Sequence, residues 1–135
     1  MVSYLDTSAI LKLVFFEPGS EELRGSKEPN DLWVTSDLAR TEVGRAVKHA
    51  GVVGAEETTL QVMRGLGVIT ITNEIFVAAG RMGPDVLRSL DAIHIAAACS
   101  LGSSLDRLIT YDLRMADAAR ANGIVVVSPG DLPRN

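Results

Sequence analysis

Five short runs of aliphatic and β-branched residues alternate with longer segments of helical spacing, and this alternation restricts the fold more than any other feature. The runs are Val2–Leu5, Leu32–Thr35, Val68–Ile71, Leu108–Thr110 and Ile124–Val127, each with the composition of a strand. Helical patterns occupy Ser8–Phe16, Leu38–Ala50, Ala55–Leu66, Asn73–Arg81, Pro84–Ser100 and Leu113–Asn122, punctuated by Gly51, Gly67, Gly83-Pro84, Gly102 and Gly123. Strand–helix alternation requires right-handed crossovers, which lay helices over a parallel sheet. Ile124–Val127 is aliphatic throughout, as a strand buried on both faces demands. The expected fold class is α/β: one domain over residues 1–135, with a four- to five-stranded parallel sheet flanked by helices on both faces.

A chain of 135 residues, 47% of them hydrophobic, is long enough for one proper core. No apolar run approaches the roughly 18 residues of a membrane span. The first residues lack a basic region followed by an apolar stretch, so a cytoplasmic protein with no membrane association is expected. Cys99 is the only cysteine, which excludes an internal disulfide and a cysteine-rich zinc centre.

In an open α/β sheet, ligands bind in the crevice outside the carboxyl ends of the strands. Two acids stand there. Asp6 follows the first strand in "YLDTSAIL" and Asp112 follows the fourth in "LITYDLRMADAA". Helix capping is the ordinary role of an aspartate at either place. Two further acids interrupt apolar helical stripes. Glu42 lies in the row Leu38–Glu42–Ala46, beside Ala39, Val43 and Val47, where Arg40 or Arg45 is available as a structural ion-pair partner. Asp91 shares a row with Leu87, His94 or Ile95, and Ala98 in "SLDAIHIAAA". A lone buried carboxylate is unfavourable by several kcal/mol. His94 or Arg88, each three residues away, offers Asp91 a structural partner.

Four acids brought to one crevice would repel each other, and some would stay protonated unless a cation neutralised them. Oxygen ligands without thiolates favour Mg²⁺, with Mn²⁺ as the alternative. Such a site suits hydrolysis of a phosphodiester, because a metal-activated water attacks phosphorus while a cation stabilises the leaving oxygen. No Gly-x-x-x-x-Gly-Lys phosphate loop and no Gly-x-Ser-x-Gly elbow is present. The net charge of −4 gives no support to a nucleic-acid partner. With four of the 17 acids committed to a metal site, however, the remaining 13 equal the 13 lysines and arginines.

At these residues the sequence resembles the PIN-domain nucleases, specifically the toxin ribonucleases of VapBC-type toxin–antitoxin pairs. The resemblance runs through "YLDTSAILKL" at Tyr4–Leu13, "ARTEVGRAV" at Ala39–Val47, "LDAIHIAAA" at Leu90–Ala98, "LITYDLRMADAARANGI" at Leu108–Ile124 and "VSPGDL" at Val127–Leu132. It implies that Asp6, Glu42, Asp91 and Asp112 form a catalytic, metal-binding quartet. Thr7, Ser8 and Thr110 would lie close by, and Asp117 would be an outer contributor. It further implies endonucleolytic cleavage of RNA leaving a 5′-phosphate and a 3′-hydroxyl, a homodimer, and a small antitoxin that blocks the site. Two other readings compete: a non-catalytic PIN-like module that binds RNA or protein, and a receiver-type phosphoacceptor, in which Glu42 and Asp91 have no necessary role.

Overall fold

The computed structural model describes residues 1–131, so Leu132 lies outside the described residues. Five parallel strands form one sheet: β1 (Val2–Leu5), β2 (Leu32–Ser36), β3 (Gly67–Ile69), β4 (Arg107–Ile109) and β5 (Val126–Val127), in the order β3-β2-β1-β4-β5. Seven helices connect them: α1 (Thr7–Val14), α2 (Ser20–Gly25), α3 (Leu38–Ala50), α4 (Ala55–Arg64), α5 (Asn73–Gly80), α6 (Ser89–Cys99) and α7 (Leu113–Ala121).

The side-chain period of a strand divides the core in two. Tyr4 points to the face covered by α5, α6 and α7, where it meets Ile75, Ile95 and Met115. Leu5 points to the face covered by α1, α3 and α4, among Ile10, Val43 and Val47. Leu108 and Ile109 divide in the same way on β4. All four strand side chains are fully buried, each contributing about 1.5–3 kcal/mol of hydrophobic stabilisation. The two-faced α/β sheet expected from the alternation is therefore the fold observed.

Three of the helices start on side-chain caps: Asp6 accepts from Ala9 N, Thr72 from Ile75 N, and Asp112 from Arg114 N and Met115 N. The helix expected from Pro84 begins only at Ser89. Leu87 N closes a turn on Pro84 O, and Arg88 is then extended at φ −74° and ψ 152°. Val86 is 88% exposed, and helices in proteins owe most of their stability to a packed apolar face. The six-residue α2 has no counterpart among the helical patterns of the sequence, since Leu23 is its only buried apolar side chain and a single position makes no periodicity. The last strand is shorter than expected because Ile124 N bonds back to Ala119 O to close α7.

The turn after β5 packs on the α1–α2 connection. Tyr111 donates its hydroxyl to Pro129 O at 2.6 Å, and burial, with the charges of Asp131 and Glu22, pushes that phenol up to about 12. Gly130 has φ +88°, and a Cβ there would stand 2.9 Å from Gly19 Cα. Gly130→Ala combines a left-handed backbone with that collision. It is expected to lower stability by about 1–3 kcal/mol, read by thermal denaturation as a loss of about 3–10 °C.

Candidate active site

The strand order reverses direction at the β1/β4 pair: the chain builds outward through β2 and β3, then crosses to β4 and β5 on the other side. That junction is where an open α/β sheet leaves a crevice. A cavity of about 460 Å³ lies there, and its lining includes Asp6, Glu42, Asp91 and Asp112. Four elements supply them: the end of β1, α3, the first turn of α6, and the start of α7. Arg88 is the only lysine or arginine among the lining residues.

Asp6 is the most enclosed, at 3% exposure. Its Oδ1 accepts from Ser8 Oγ at 2.7 Å and from Ala9 N at 3.0 Å, and its Oδ2 accepts from Thr110 Oγ1 at 2.5 Å. Burial raises its pKa, and the hydrogen bonds from Thr110, Ser8 and Ala9 offset only part of that. Thr110 Oγ1 also accepts from Asp112 N at 3.1 Å, and Ser8 Oγ from Tyr111 N at 2.8 Å. Two hydroxyls thus tie the end of β1 to the end of β4.

Glu42 has a different partner from those the sequence offered. Neither Arg40 nor Arg45 pairs with it; its Oε1 receives Thr7 Oγ1 at 2.7 Å and His94 Nε2 at 2.5 Å. Burial pushes its carboxyl up, but the bonds from His94 and Thr7 outweigh that and hold it below the usual range. His94 is 2% exposed. Its Nδ1 lies 2.7 Å from Tyr4 Oη, which in turn lies 3.0 Å from Ser36 Oγ. The Tyr4 and His94 rings pack edge to face, with centroids 5.8 Å apart. The sequence offers His94 or Arg88 as the partner of Asp91 and does not offer this chain from Ser36 to Glu42. Tyr4, the only aromatic residue of β1, was the available signal.

Asp91 faces Arg88, with Nε to Oδ2 at 3.4 Å, and its charge sits favourably in the first turn of α6. Asp112 caps α7 through Oδ1. Capping and a site role are therefore compatible. Among the described residues, Glu42 Oε2, Asp91 Oδ1 and Asp112 Oδ2 accept no hydrogen bond. Asp6 Oδ2 accepts only one, and a carboxylate oxygen has two lone pairs. Asp117 does not line this cavity but an adjoining one.

No three His, Cys, Asp or Glu side chains among the described residues are grouped to hold a metal ion directly. The donor set is nevertheless hard oxygen in a strongly acidic cavity. It fits a cation such as Mg²⁺, which keeps several of its waters and takes only one or two carboxylates from the protein. It does not fit a closed protein chelate.

Comparison with known proteins identifies the family and the fold. The PIN domain family profile matches residues 3–121. Ribonuclease VapC46 of Mycobacterium tuberculosis is 42% identical over 126 residues, covering 93% of this chain and 96% of its own. Ribonuclease VapC47 of the same species is 39% identical over 132 residues, covering 94% and 96%. A solved toxin–antitoxin complex from Klebsiella pneumoniae shares the fold with a TM-score of 0.70 at 20% identity, covering 96% of this chain and 99% of the matched one. Among the described residues, no helix is long and apolar enough to cross a membrane.

Proposed function

Because the chain belongs to the PIN-domain family, we propose that it is a ribonuclease of the VapC kind, acting as the toxin of a toxin–antitoxin pair through the acidic cavity at the β1/β4 junction. The observation that carries this reading is the meeting of Asp6, Glu42, Asp91 and Asp112, from four separate elements, on one cavity. Its support from relatives is their identity of about 40% to proteins named ribonuclease. The Klebsiella pneumoniae structure, solved as a toxin–antitoxin complex, supports a small antitoxin partner.

Asp6 and Asp91 would hold a divalent cation, Mg²⁺ or Mn²⁺, with Glu42 and Asp112 completing the charge around it. When bound, that cation supplies positive charge at the scissile phosphate and eases loss of a proton from water. The residues do the rest. Ser8, Ala9 N and Thr110 fix Asp6 so that it enters the reaction in one orientation. His94 and Thr7 engage one oxygen of Glu42, leaving the other to align the attacking water and accept its proton. Water attack at phosphorus breaks the bond to the 3′ oxygen of the preceding nucleotide, which takes a proton from solvent as it leaves, and yields a 5′-phosphate and a 3′-hydroxyl. The working form is a homodimer in this reading.

The test is to incubate the purified protein with cellular RNA in Mg²⁺, in Mn²⁺ and in chelator, then map new RNA ends. Cleavage with 5′-phosphate ends is expected in either metal, and its loss in chelator is expected to be reversed by adding back metal. Binding of RNA without cleavage in any divalent ion would instead establish the non-catalytic module.

A further inference from the structure

A four-carboxylate cavity repels a polyanion, so the chain that delivers a phosphodiester there needs cations beside it. The structure places two of them on an adjoining hollow. This second cavity, of about 440 Å³, is lined by Pro84, Val86, Leu87, Arg88, Asp91, Arg114, Asp117 and Ala118. Arg88 and Asp91 line both cavities, so the two adjoin with these residues at their boundary. Each arginine is anchored beside a site acid. Arg88 lies 3.4 Å from Asp91, and Arg114 gives its backbone N–H to Asp112 at 2.9 Å. Both arginines are exposed, and Arg114 makes no ion pair among the described residues. The remaining wall is apolar, and Val86 stands almost wholly in solvent with nothing packed over it.

We propose that this second cavity is a nucleotide subsite. Arg88 and Arg114 hold the phosphate next to the scissile one, and Val86 and Leu87 receive the unstacked base. The proposal rests on the ribonuclease reading and assigns the residues that would hold the RNA strand beside the cleaved bond. A guanidinium offers phosphate two parallel donors, while the aliphatic wall offers a base face somewhere to leave water. The volume falls within the roughly 300–1,000 Å³ of small-molecule pockets. A base held in stacked, paired RNA is not free to enter such a hollow, whereas a base in a loop or single strand is.

Binding of a labelled single-stranded RNA oligonucleotide, followed by fluorescence anisotropy in chelator, separates the parts. Arg88→Gln and Arg114→Gln are each expected to weaken binding about tenfold at low salt. Each is also expected to flatten the slope of log K against log salt by about 0.7, the value for one phosphate contact on a single strand. Val86→Ser is expected to weaken binding about threefold with the slope unchanged, because it removes apolar contact and no charge. The same RNA annealed into a duplex is expected to bind more weakly than the single strand. If the wild type cuts RNA but both arginine variants keep its salt slope, the subsite is overturned and the nuclease stands. If the wild type neither binds nor cuts RNA in any divalent ion, the nuclease reading fails and the subsite falls with it.

Discussion

Asp6→Asn is expected to slow RNA cleavage about 10³-fold, equivalent to about 4 kcal/mol of barrier, while making the metal-free protein more stable. The carboxylate is 3% exposed and its pKa is raised by burial, so the folded chain pays to keep that charge. Asparagine caps a helix as well as aspartate does and keeps an oxygen for Ser8 and Ala9 N. A gain of about 1 kcal/mol, or about 3–5 °C in melting temperature, follows. The sign with pH is specific. A carboxyl whose folded pKa is raised binds more protons in the native state, so the contribution of Asp6 to stability falls as pH rises through the window above 3.8. The advantage of Asp6→Asn should therefore be full at neutral pH and vanish in strong acid, where Asp6 is protonated in both states. Added Mg²⁺ or Mn²⁺ should reverse the order, because a ligand that binds only the native wild type raises its melting temperature. Differential scanning fluorimetry with and without metal reads both effects. An Asp6→Asn protein that still cuts RNA, or that gains as much from metal as the wild type, would remove Asp6 from the site.

His94→Ala should have the largest effect on stability. The imidazole is buried between Tyr4 and Glu42. Its loss leaves the Tyr4 hydroxyl with Ser36 alone and leaves Glu42 without its nitrogen donor. Cavity formation and the broken buried contacts together cost about 3–5 kcal/mol, a fall of about 10–20 °C. The pH dependence runs opposite to that of Asp6. The depressed carboxyl of Glu42 contributes stability above its unfolded pKa near 4.5, and that contribution is lost as pH falls through the lower folded value. In His94→Ala the acid-side loss should shrink. Tyr4→Phe should cost about 1–3 kcal/mol by leaving a buried imidazole nitrogen unpaired. A double-mutant cycle of the two should show strong coupling, since both substitutions break the same contact. Additive effects would mean that the chain from Ser36 to Glu42 does not act as a unit.

The fold was legible because its signals are local. Tyr4, Leu5, Leu108 and Ile109 announce buried strands by composition, and Asp6 and Asp112 sit at strand ends because a crossover helix must begin there. The approach of Asp6 to Asp112 could be expected from topology alone. Partnership was harder to read, because it depends on which helix faces lie across from each other. Glu42 and His94 are 52 residues apart and meet at 2.5 Å, while nearer candidates in sequence, Arg40 and Arg45, play no part in the pairing. Spacing along one helix found the Arg88–Asp91 pair because that contact is local. It missed the start of α6 because an unburied Val86 cannot hold a turn of helix, and burial is not a local property.

The adjacency of β1 and β4 also bears on the order in which the pocket can be assembled. Thr110, which grips Asp6, is 104 residues downstream of it, and Asp112 follows two positions later. A nascent chain leaving the ribosome can pair β1 with β2, yet it has no complete pocket until β4 and Asp112 have emerged. A chain ending before residue 107 would lack both the strand that pairs with β1 on this side and the acid that closes the pocket.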